Sequence, residues 1–177
     1  SSELRRASED GKLSELWCTV VPDADGMSAE IDRRLGLYAA GTMMPFATID
    51  VASGTAIGMT TFMNIKLENL KVEIGSTWLA NDCQGTAINP EAKLLMLTYA
   101  FDVFGCNAVE LRTHEKNAQS RAAIEKLGAK LDGLLRNDMI MPNGTIRNTA
   151  VYSITKDEWP DVRVALEKRL GTRPSGD

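Results

Sequence analysis

The chain has 177 residues, which is long enough for one domain with a substantial core and too short for two ordinary domains. An apolar fraction of 44% and a charged fraction of 25% are typical of a soluble globular protein, and no apolar run reaches membrane-spanning length. The net charge of −4 argues against a general nucleic-acid binder, which is usually basic. Three widely spaced cysteines without metal-ligand spacing, and a start without a signal-peptide core, predict a reduced cytoplasmic protein.

The first part of the chain predicts two helices followed by three strands. An amphipathic helix is expected over residues 4–17, with Gly11 as an interruption, and a second over residues 28–40 that stops at Gly41. Strands are predicted at 45–50 and 55–65, around a turn that ends at Gly54, and then at 71–79.

The second part predicts alternating helices and strands. An apolar helix over residues 90–104 should begin at Pro90, with Asn89 as its N-cap, and should be covered on much of its surface. The remaining elements are a strand at 108–113, a helix at 117–127, a hairpin of strands 131–139 and 146–155, and a last helix before a polar tail at 171–177. This order predicts one α/β domain over residues 1–177 with a mixed sheet.

The loop Asp-Cys-Gln-Gly-Thr-Ala-Ile-Asn-Pro at 82–90 joins a predicted strand to the apolar helix. Gly85 has no Cβ, so the backbone there can approach a ligand closely. The N–H groups that follow, and the positive end of the helix dipole, would then face an anion. The loop therefore predicts a phosphate site, although a Gly-x-Ala before a helix also occurs in ordinary strand-to-helix turns.

A second motif lies about thirty residues further on, after the next strand. It consists of Asn117, Ser120 and the run Glu-Lys-Leu-Gly at 125–128. Together with the Gln-Gly-Thr-Ala loop, this motif resembles the GNAT N-acetyltransferase superfamily, and more narrowly its ribosomal-protein N-terminal acetyltransferase-like branch. The resemblance runs from about residue 13 to residue 159.

That resemblance implies a mixed, mostly antiparallel central sheet flanked by helices. In the family the sheet is splayed between its fourth and fifth strands, which correspond here to 71–79 and 108–113. The family's first strand precedes its first helix, and this sequence begins at that helix. We therefore expect the first strand to be missing from the sequence given.

The resemblance also implies acetyl-coenzyme A (acetyl-CoA) as cosubstrate, without a metal. In the family, backbone N–H groups of the loop hold the pyrophosphate, and N–H groups around Leu79 polarise the acetyl carbonyl. By position, the cofactor-binding residues are Trp78, Leu79, Gln84, Gly85, Thr86, Ala87, Ile88, Asn89, Asn117 and Ser120. Asp82 stands where the broader motif has Gln or Arg, and Glu91 lies near the helix start. Either carboxylate would repel phosphate unless it turned away.

An acetyl acceptor amine must be neutral to attack, so a nearby carboxylate is the usual base. Glu73 lies within a predicted inner strand, where a Glu is unusual. The superfamily often has its base at this position, within Glu-Ile as here. The resemblance therefore implies that Glu73 is the catalytic base or an amine-orienting group; the alternative is a structural, hydrogen-bonded carboxylate.

Ser120 shares a helix face with Ala123, Ile124 and Leu127, so we expect its side chain to point inward. Many superfamily members protonate the departing thiolate with a Tyr seven residues after the motif Asn. Here that position is Ile124, which cannot donate a proton. The ribosomal-protein branch assigns the role to a Ser three residues after the Asn, which implies that Ser120 is the general acid or a hydrogen-bond donor to the thiolate. The alternative is a helix-start hydroxyl that satisfies the backbone.

Three other residues invite a functional interpretation. His114 could act as a base, but we expect it to be a surface loop residue. Cys83 could be a covalent nucleophile, but the family usually transfers the acetyl group directly. Trp17 could wall the acceptor site, whose side the segment 23–41 is expected to line.

The predicted function is transfer of an acetyl group from acetyl-CoA to a primary amine, either a protein N-terminus or a small molecule, by direct attack. A homodimer is expected, without nucleic-acid or membrane partners. The alternative is a non-catalytic acyl-CoA-binding module, sensory or structural, which the departures at Asp82 and Ile124 keep open. A nucleotide-binding domain is weakened by the missing Gly-Lys-Ser/Thr of a P-loop.

Overall fold

The predicted helices and strands are present in the computed structural model, which describes residues 1–15 and 20–171. The helices are α1 (Ser2–Glu9), α2 (Met27–Ala39), α3 (Ile88–Thr98), α4 (Ala118–Glu125) and α5 (Trp159–Leu170). The strands are β1 (Met43–Asp50), β2 (Thr55–Lys66), β3 (Lys71–Leu79), β4 (Ala108–His114), β5 (Lys130–Ile140) and β6 (Ile146–Thr155). No helix in these two ranges combines the length and apolar character needed to cross a bilayer.

The six strands form one mixed sheet in the order β1-β2-β3-β4-β6-β5. Strand β1 is antiparallel to β2, and β6 is antiparallel to both β4 and β5. Strand β3 is parallel to β4, with Lys71–Glu73 in register with Ala108–Glu110. The predicted mixed, mostly antiparallel sheet is confirmed, while its splay and the missing first strand stay predictions.

The chain divides into two compact units. The first comprises Ser1–Ile65 and Ile74–Ile88, and the second comprises Lys66–Glu73 and Asn89–Asp177. The first unit has an apolar core formed by Leu4, Ala7, Leu13, Val21, Met27, Ala56, Met59, Trp78 and Ala80. In the second unit, Val109 of β4 and Tyr152 and Ile154 of β6 are fully buried. The prediction of a single domain stays a prediction.

The first predicted helix is shorter than expected. It ends at Glu9 and is followed by a 3-10 segment, Asp10–Glu15, in which Gly11 and Lys12 have positive φ angles of 71° and 52°. Gly11 therefore does interrupt the helix, because the left-handed conformation is incompatible with continuing it. The end of the predicted helix, including Trp17 and its suggested place beside the acceptor, lies outside the described residues.

The apolar helix differs from its prediction in two ways. It begins at Ile88, and the Thr86 hydroxyl accepts the Ile88 N–H hydrogen bond at 3.3 Å, so Asn89 is not the N-cap. Its apolar residues are also less covered than expected, with Leu95 67% exposed and the buried position nearby taken by Lys93. After Thr98 the helix continues as a π-helical turn, Tyr99–Val103, which shifts the later side chains off a single stripe.

Candidate active site

The loop after β3 is held in place by its own hydrogen bonds. A short 3-10 turn, Asn81–Cys83, follows the strand, and the Gln84 N–H donates to the Asn81 carbonyl at 3.2 Å. The Gln84 amide nitrogen Nε2 donates to the Leu79 carbonyl at 3.1 Å, and the Thr86 hydroxyl donates to the Cys83 carbonyl at 2.7 Å. These bonds give the loop a defined conformation before any ligand arrives.

The tip of this loop presents backbone donors to solvent. Gly85, Thr86 and Ala87 are exposed, and their N–H groups find no hydrogen-bond acceptor among residues 1–15 and 20–171. Gly85 has a φ of 73°, and a Cβ built there would meet no atom within 4 Å, so glycine serves the backbone conformation rather than space. Since the 11-residue helix α3 starts directly afterwards, these donors and the helix dipole can bind an anion.

Asp82 does not belong to this row of donors. It lies in the preceding 3-10 turn, where its Oδ1 accepts a hydrogen bond from the Cys83 thiol at 3.2 Å and its N–H donates to Asp10 Oδ2 at 3.0 Å. Glu91 is exposed in the first turn of α3. A carboxylate in that turn is favourable to the helix dipole.

Cys83 has the chemistry of a protonated thiol. Burial, with a further contribution from the hydrogen bond to Asp82, raises the pKa of the Cys83 thiol to about 11. Because the thiolate is the nucleophilic form, very little of it exists at neutral pH. The environment of Cys83 therefore agrees with the expectation that it forms no covalent intermediate.

Trp78 and Leu79, at the end of β3, are both buried. The Trp78 indole packs in the core of the first unit, and its Nε1 has no hydrogen-bond partner within the described ranges. Only the main chain of Trp78 is therefore left for a ligand. The Leu79 carbonyl is already used by Gln84, as described above.

Glu73 belongs to a cluster of four charged side chains on β3 and β4. It is 6% exposed and lies in parallel register with Glu110, which is 8% exposed. Arg112 Nε is 3.5 Å from Glu73 Oε2, and Arg112 Nη2 donates to Glu110 Oε2 at 3.1 Å. Lys71 forms a second ion pair with Glu110. Two buried carboxylates are thus matched by two cations.

Burial alone would raise the pKa of Glu110, but its hydrogen bonds from Lys71 and Arg112 outweigh burial and lower the pKa below its ordinary value. Glu110 is therefore ionised at neutral pH, which places a negative charge directly beside Glu73.

Asn117 and Ser120 form the start of α4. Asn117 is the N-cap, and its side-chain oxygen accepts the Ser120 N–H hydrogen bond at 3.0 Å. The Ser120 side chain is partly buried, on the helix face where Ile124 and Leu127 are buried. Its hydroxyl makes no hydrogen bond to any residue that the structure describes, so it does not cap the helix. The hydroxyl is available for other chemistry.

His114 is not the surface loop residue that the sequence suggested. It is the last residue of β4 and only 5% exposed. Its Nδ1 accepts the Lys116 N–H hydrogen bond at 3.1 Å, and burial, reinforced by the charge of Arg147, lowers the pKa of the ring. The strand extends one residue further than predicted, through the pairing of His114 with Thr149 of β6.

A family model described as the acetyltransferase (GNAT) domain matches residues 4–130, more than half of the chain. The chain belongs to the GNAT acetyltransferase family. Glu73, the loop tip and Ser120 all lie within the matched range, and the family predicted from the paired motifs is confirmed.

Individual relatives agree with this family. A Bacillus subtilis protein, YdaF, provisionally named a ribosomal N-acetyltransferase, is 33% identical over 106 residues, which cover 60% of this chain and 57% of that protein. The chain thus matches little more than half the length of this curated relative. A GCN5-related N-acetyltransferase from Brucella melitensis is 30% identical with a TM-score of 0.84, covering 95% of this chain and 76% of that one. Mycobacterium smegmatis RimJ, solved with CoA-disulfide, has a TM-score of 0.77 at 21% identity, covering 96% and 82%, and supports the fold alone.

The residues assigned from the GNAT motifs fall into two groups. Trp78, Leu79 and the loop residues 84–88 lie in the first compact unit, whereas Glu73, Asn89, Asn117 and Ser120 lie in the second. Glu110 and Arg112 were missed by the sequence analysis. The alternation Glu-Leu-Arg in the predicted strand 108–113 could have drawn attention to them, since it places two opposite charges on one strand face.

Proposed function

We propose that this GNAT family member is an acetyl-CoA-dependent N-acetyltransferase that acts on a primary amine by direct attack. The observation that carries the proposal is the exposed row of unpartnered N–H groups at Gly85, Thr86 and Ala87, immediately before α3. Such a row suits a pyrophosphate, because backbone donors and the helix dipole favour negative charge without a basic side chain. The relatives are named as acetyltransferases, so the non-catalytic alternative is not favoured.

In this proposal each residue has a chemical role. The amine nitrogen attacks the acetyl carbonyl carbon, and backbone N–H groups around Leu79 stabilise the oxygen that becomes negative. Glu73 accepts the proton that the amine loses, directly or through water. When the carbon–sulfur bond breaks, the Ser120 hydroxyl supplies a proton to the departing thiolate. The cosubstrate is bound by Trp78, through its main chain, and by Leu79, residues 84–89, Asn117 and Ser120.

The acceptor class is proposed from the relatives. Because YdaF carries the name of a ribosomal N-acetyltransferase, a ribosomal-protein N-terminus is the first acceptor to test, followed by small-molecule amines. The segment 23–41, which includes α2, is proposed to line the acceptor side. We further propose that the protein is cytoplasmic, since Cys83 and Cys106 are free thiols of the kind that a reducing compartment maintains. A homodimer is proposed only because dimerisation is common in the branch that the sequence resembles.

Calorimetric titration with acetyl-CoA and with free coenzyme A tests the loop. Ala87→Asp places a carboxylate beside the proposed pyrophosphate site, so we expect the affinity for both ligands to fall about tenfold or more. Asn69→Asp is the matched control, because it adds the same charge at an exposed position at the opposite end of β3 from the loop and should leave the affinity unchanged.

A thiol-release assay on a panel of amines and N-terminal peptides then tests transfer. Acetyl-dependent thiol release that requires an amine supports the enzyme. Binding of both ligands without release on any acceptor would instead favour the non-catalytic module, and equal binding by the wild type and Ala87→Asp would remove the loop from the site.

A further inference from the structure

The charge cluster around Glu73 contains a second carboxylate, Glu110, which a catalytic base does not require. A base must be ionised to accept a proton, and an identical charge beside it opposes ionisation. Glu110 supplies that opposing charge, because it is the register partner of Glu73 on the neighbouring parallel strand. Side chains of partners in register project from the same face of a sheet, so the two carboxylates are held side by side.

Arg112 is the one side chain with contacts to both carboxylates within this cluster. Its Nε faces Glu73 Oε2 at 3.5 Å, and its Nη2 faces Glu110 Oε2 at 3.1 Å. The guanidinium cannot lose its proton at physiological pH, so its charge faces both carboxylates. It is hydrogen-bonded to Glu110, whereas its Nε is ion-paired with Glu73 without a hydrogen bond. Its side chain is 26% exposed, which leaves the interaction only partly screened by water.

The other charged groups on this part of the second unit's sheet have ion-pair or hydrogen-bond partners of their own. Lys71 pairs with Glu110 rather than with Glu73. Across β4 from Glu73, Glu110 is in register with Ser153 of β6, whose hydroxyl donates to Asp132 at 3.0 Å. Lys130 of β5 forms an ion pair with Glu158. Among these groups, Arg112 is therefore the cation that forms an ion pair with Glu73.

We propose that Arg112 is a positioning residue that keeps Glu73 ionised and oriented to accept the proton of the acceptor amine, and that Glu110 weakens this hold by sharing the same guanidinium. The inference rests on the proposed function, because it gives Glu73 the role of the base. It assigns opposite effects to Arg112 and Glu110, although the two residues touch each other. If Glu73 were only a structural carboxylate, these changes could shift its pKa but would not move the acid limb of kcat.

The acid limb of kcat against pH, measured with saturating substrates over roughly pH 4 to 9, tests this assignment. Arg112→Met removes the cation that favours the charged form, so the limb should move to higher pH by about one unit. Arg112→Lys keeps the charge and should restore the limb most of the way. Glu110→Gln removes a like charge and frees the guanidinium for Glu73, so the limb should move to lower pH.

Two variants control for net charge. Lys130→Met removes one positive charge, as Arg112→Met does, and Asp132→Asn removes one negative charge, as Glu110→Gln does. Both positions lie on the same sheet, and both substitutions should leave the acid limb in place. If Arg112→Met leaves the limb where the wild type has it, the inference is wrong. Movement of the limb in the same direction by Arg112→Met and Glu110→Gln would also overturn it.

A titration that needs no activity separates this inference from the proposed function. The side-chain carboxyl carbon of Glu73 can be followed by 13C NMR in the ligand-free protein, with its resonance assigned by its loss in Glu73→Gln. Opposite shifts of the midpoint in Arg112→Met and Glu110→Gln support the inference even if no amine is acetylated, in which case the proposed function fails alone. Unchanged midpoints in an active enzyme refute the inference and leave the function standing.

Discussion

Asn117 and Ser120 both lie at the start of α4, but of the two side chains only that of Asn117 caps the helix. The Asn117 side chain accepts the Ser120 N–H bond, and this leaves the Ser120 hydroxyl free of any hydrogen bond to the described residues. Had the hydroxyl been capping α4, its removal would have cost stability. Because it is not, the two residues can be separated by experiment.

We predict that Ser120→Ala lowers kcat by roughly 100-fold, the usual worth of a positioned acid, with a much smaller effect on acetyl-CoA binding and no loss of stability. Asn117→Ala should instead cost about 1 kcal/mol of unfolding free energy through the lost cap. Steady-state kinetics and urea unfolding of both variants measure these effects. An unchanged kcat in Ser120→Ala would return this serine to a structural role.

At the scale of elements, the approach of β2 to the end of β3 controls where the loop begins. Gly58 of β2 lies so close to β3 that a Cβ on it would be 2.2 Å from the Trp78 carbonyl oxygen and 2.8 Å from Leu79 Cδ2. The Ala80 N–H then donates to the Ile57 carbonyl at 2.8 Å, which ties the first residue after β3 to β2. Position 58 therefore requires glycine because a Cβ would collide with β3. Position 85 requires glycine because its φ angle is positive.

We predict that Gly58→Ala destabilises the protein by about 3 kcal/mol, because backbone rather than a flexible side chain must move. Gly36→Ala is the matched control. Gly36 is an exposed residue of α2 with no atom within 4 Å of its added Cβ, and the change should stabilise the helix by about 0.5 to 1 kcal/mol. Chemical unfolding of both variants gives the two free energies. Similar stabilities would mean that β2 and β3 can separate at little cost.

At the scale of the whole molecule, an acidic chain is proposed to bind an anionic cosubstrate. The net charge is −4, and the loop 82–90 contains no Lys or Arg. Binding must then depend on local backbone donors, since the overall charge does not attract the ligand. Asp82, although close in sequence, lies in the turn before these donors.

We predict that acetyl-CoA at about 100 times its Kd stabilises the protein by about 2.7 kcal/mol. For a chain of this size this corresponds to a rise in Tm of roughly 5 to 10 °C. Ala87→Asp should lose most of the rise at the same ligand concentration, while Asn69→Asp, at the far end of β3, should keep it. Thermal unfolding followed by circular dichroism provides the measurement, and equal shifts in all three proteins would contradict binding at the loop.

Much of the fold and part of the candidate site could be predicted because the signals are local. The bounds of β3 and β6 agree with those read from the sequence, since alternation and flanking turn residues lie within a few positions of each strand. Gly11, Gly41 and Gly54 all have the positive φ angles expected of a helix interruption, a helix stop and a turn. The family could be recognised because its two motifs are short runs of consecutive residues.

Burial and charge pairing were decided by the tertiary structure, because both depend on residues far apart in the chain. His114 is buried through its pairing with β6, Lys93 is buried in α3, and Arg112 meets Glu73 across two parallel strands. Local periodicity contains no information about which helix face a distant strand will cover, nor about which carboxylate a guanidinium will reach. The sequence alone thus determined the family and the order of elements and located the loop proposed to bind an anion, whereas the electrostatic surroundings of Glu73 were decided only when β3 and β4 came into register.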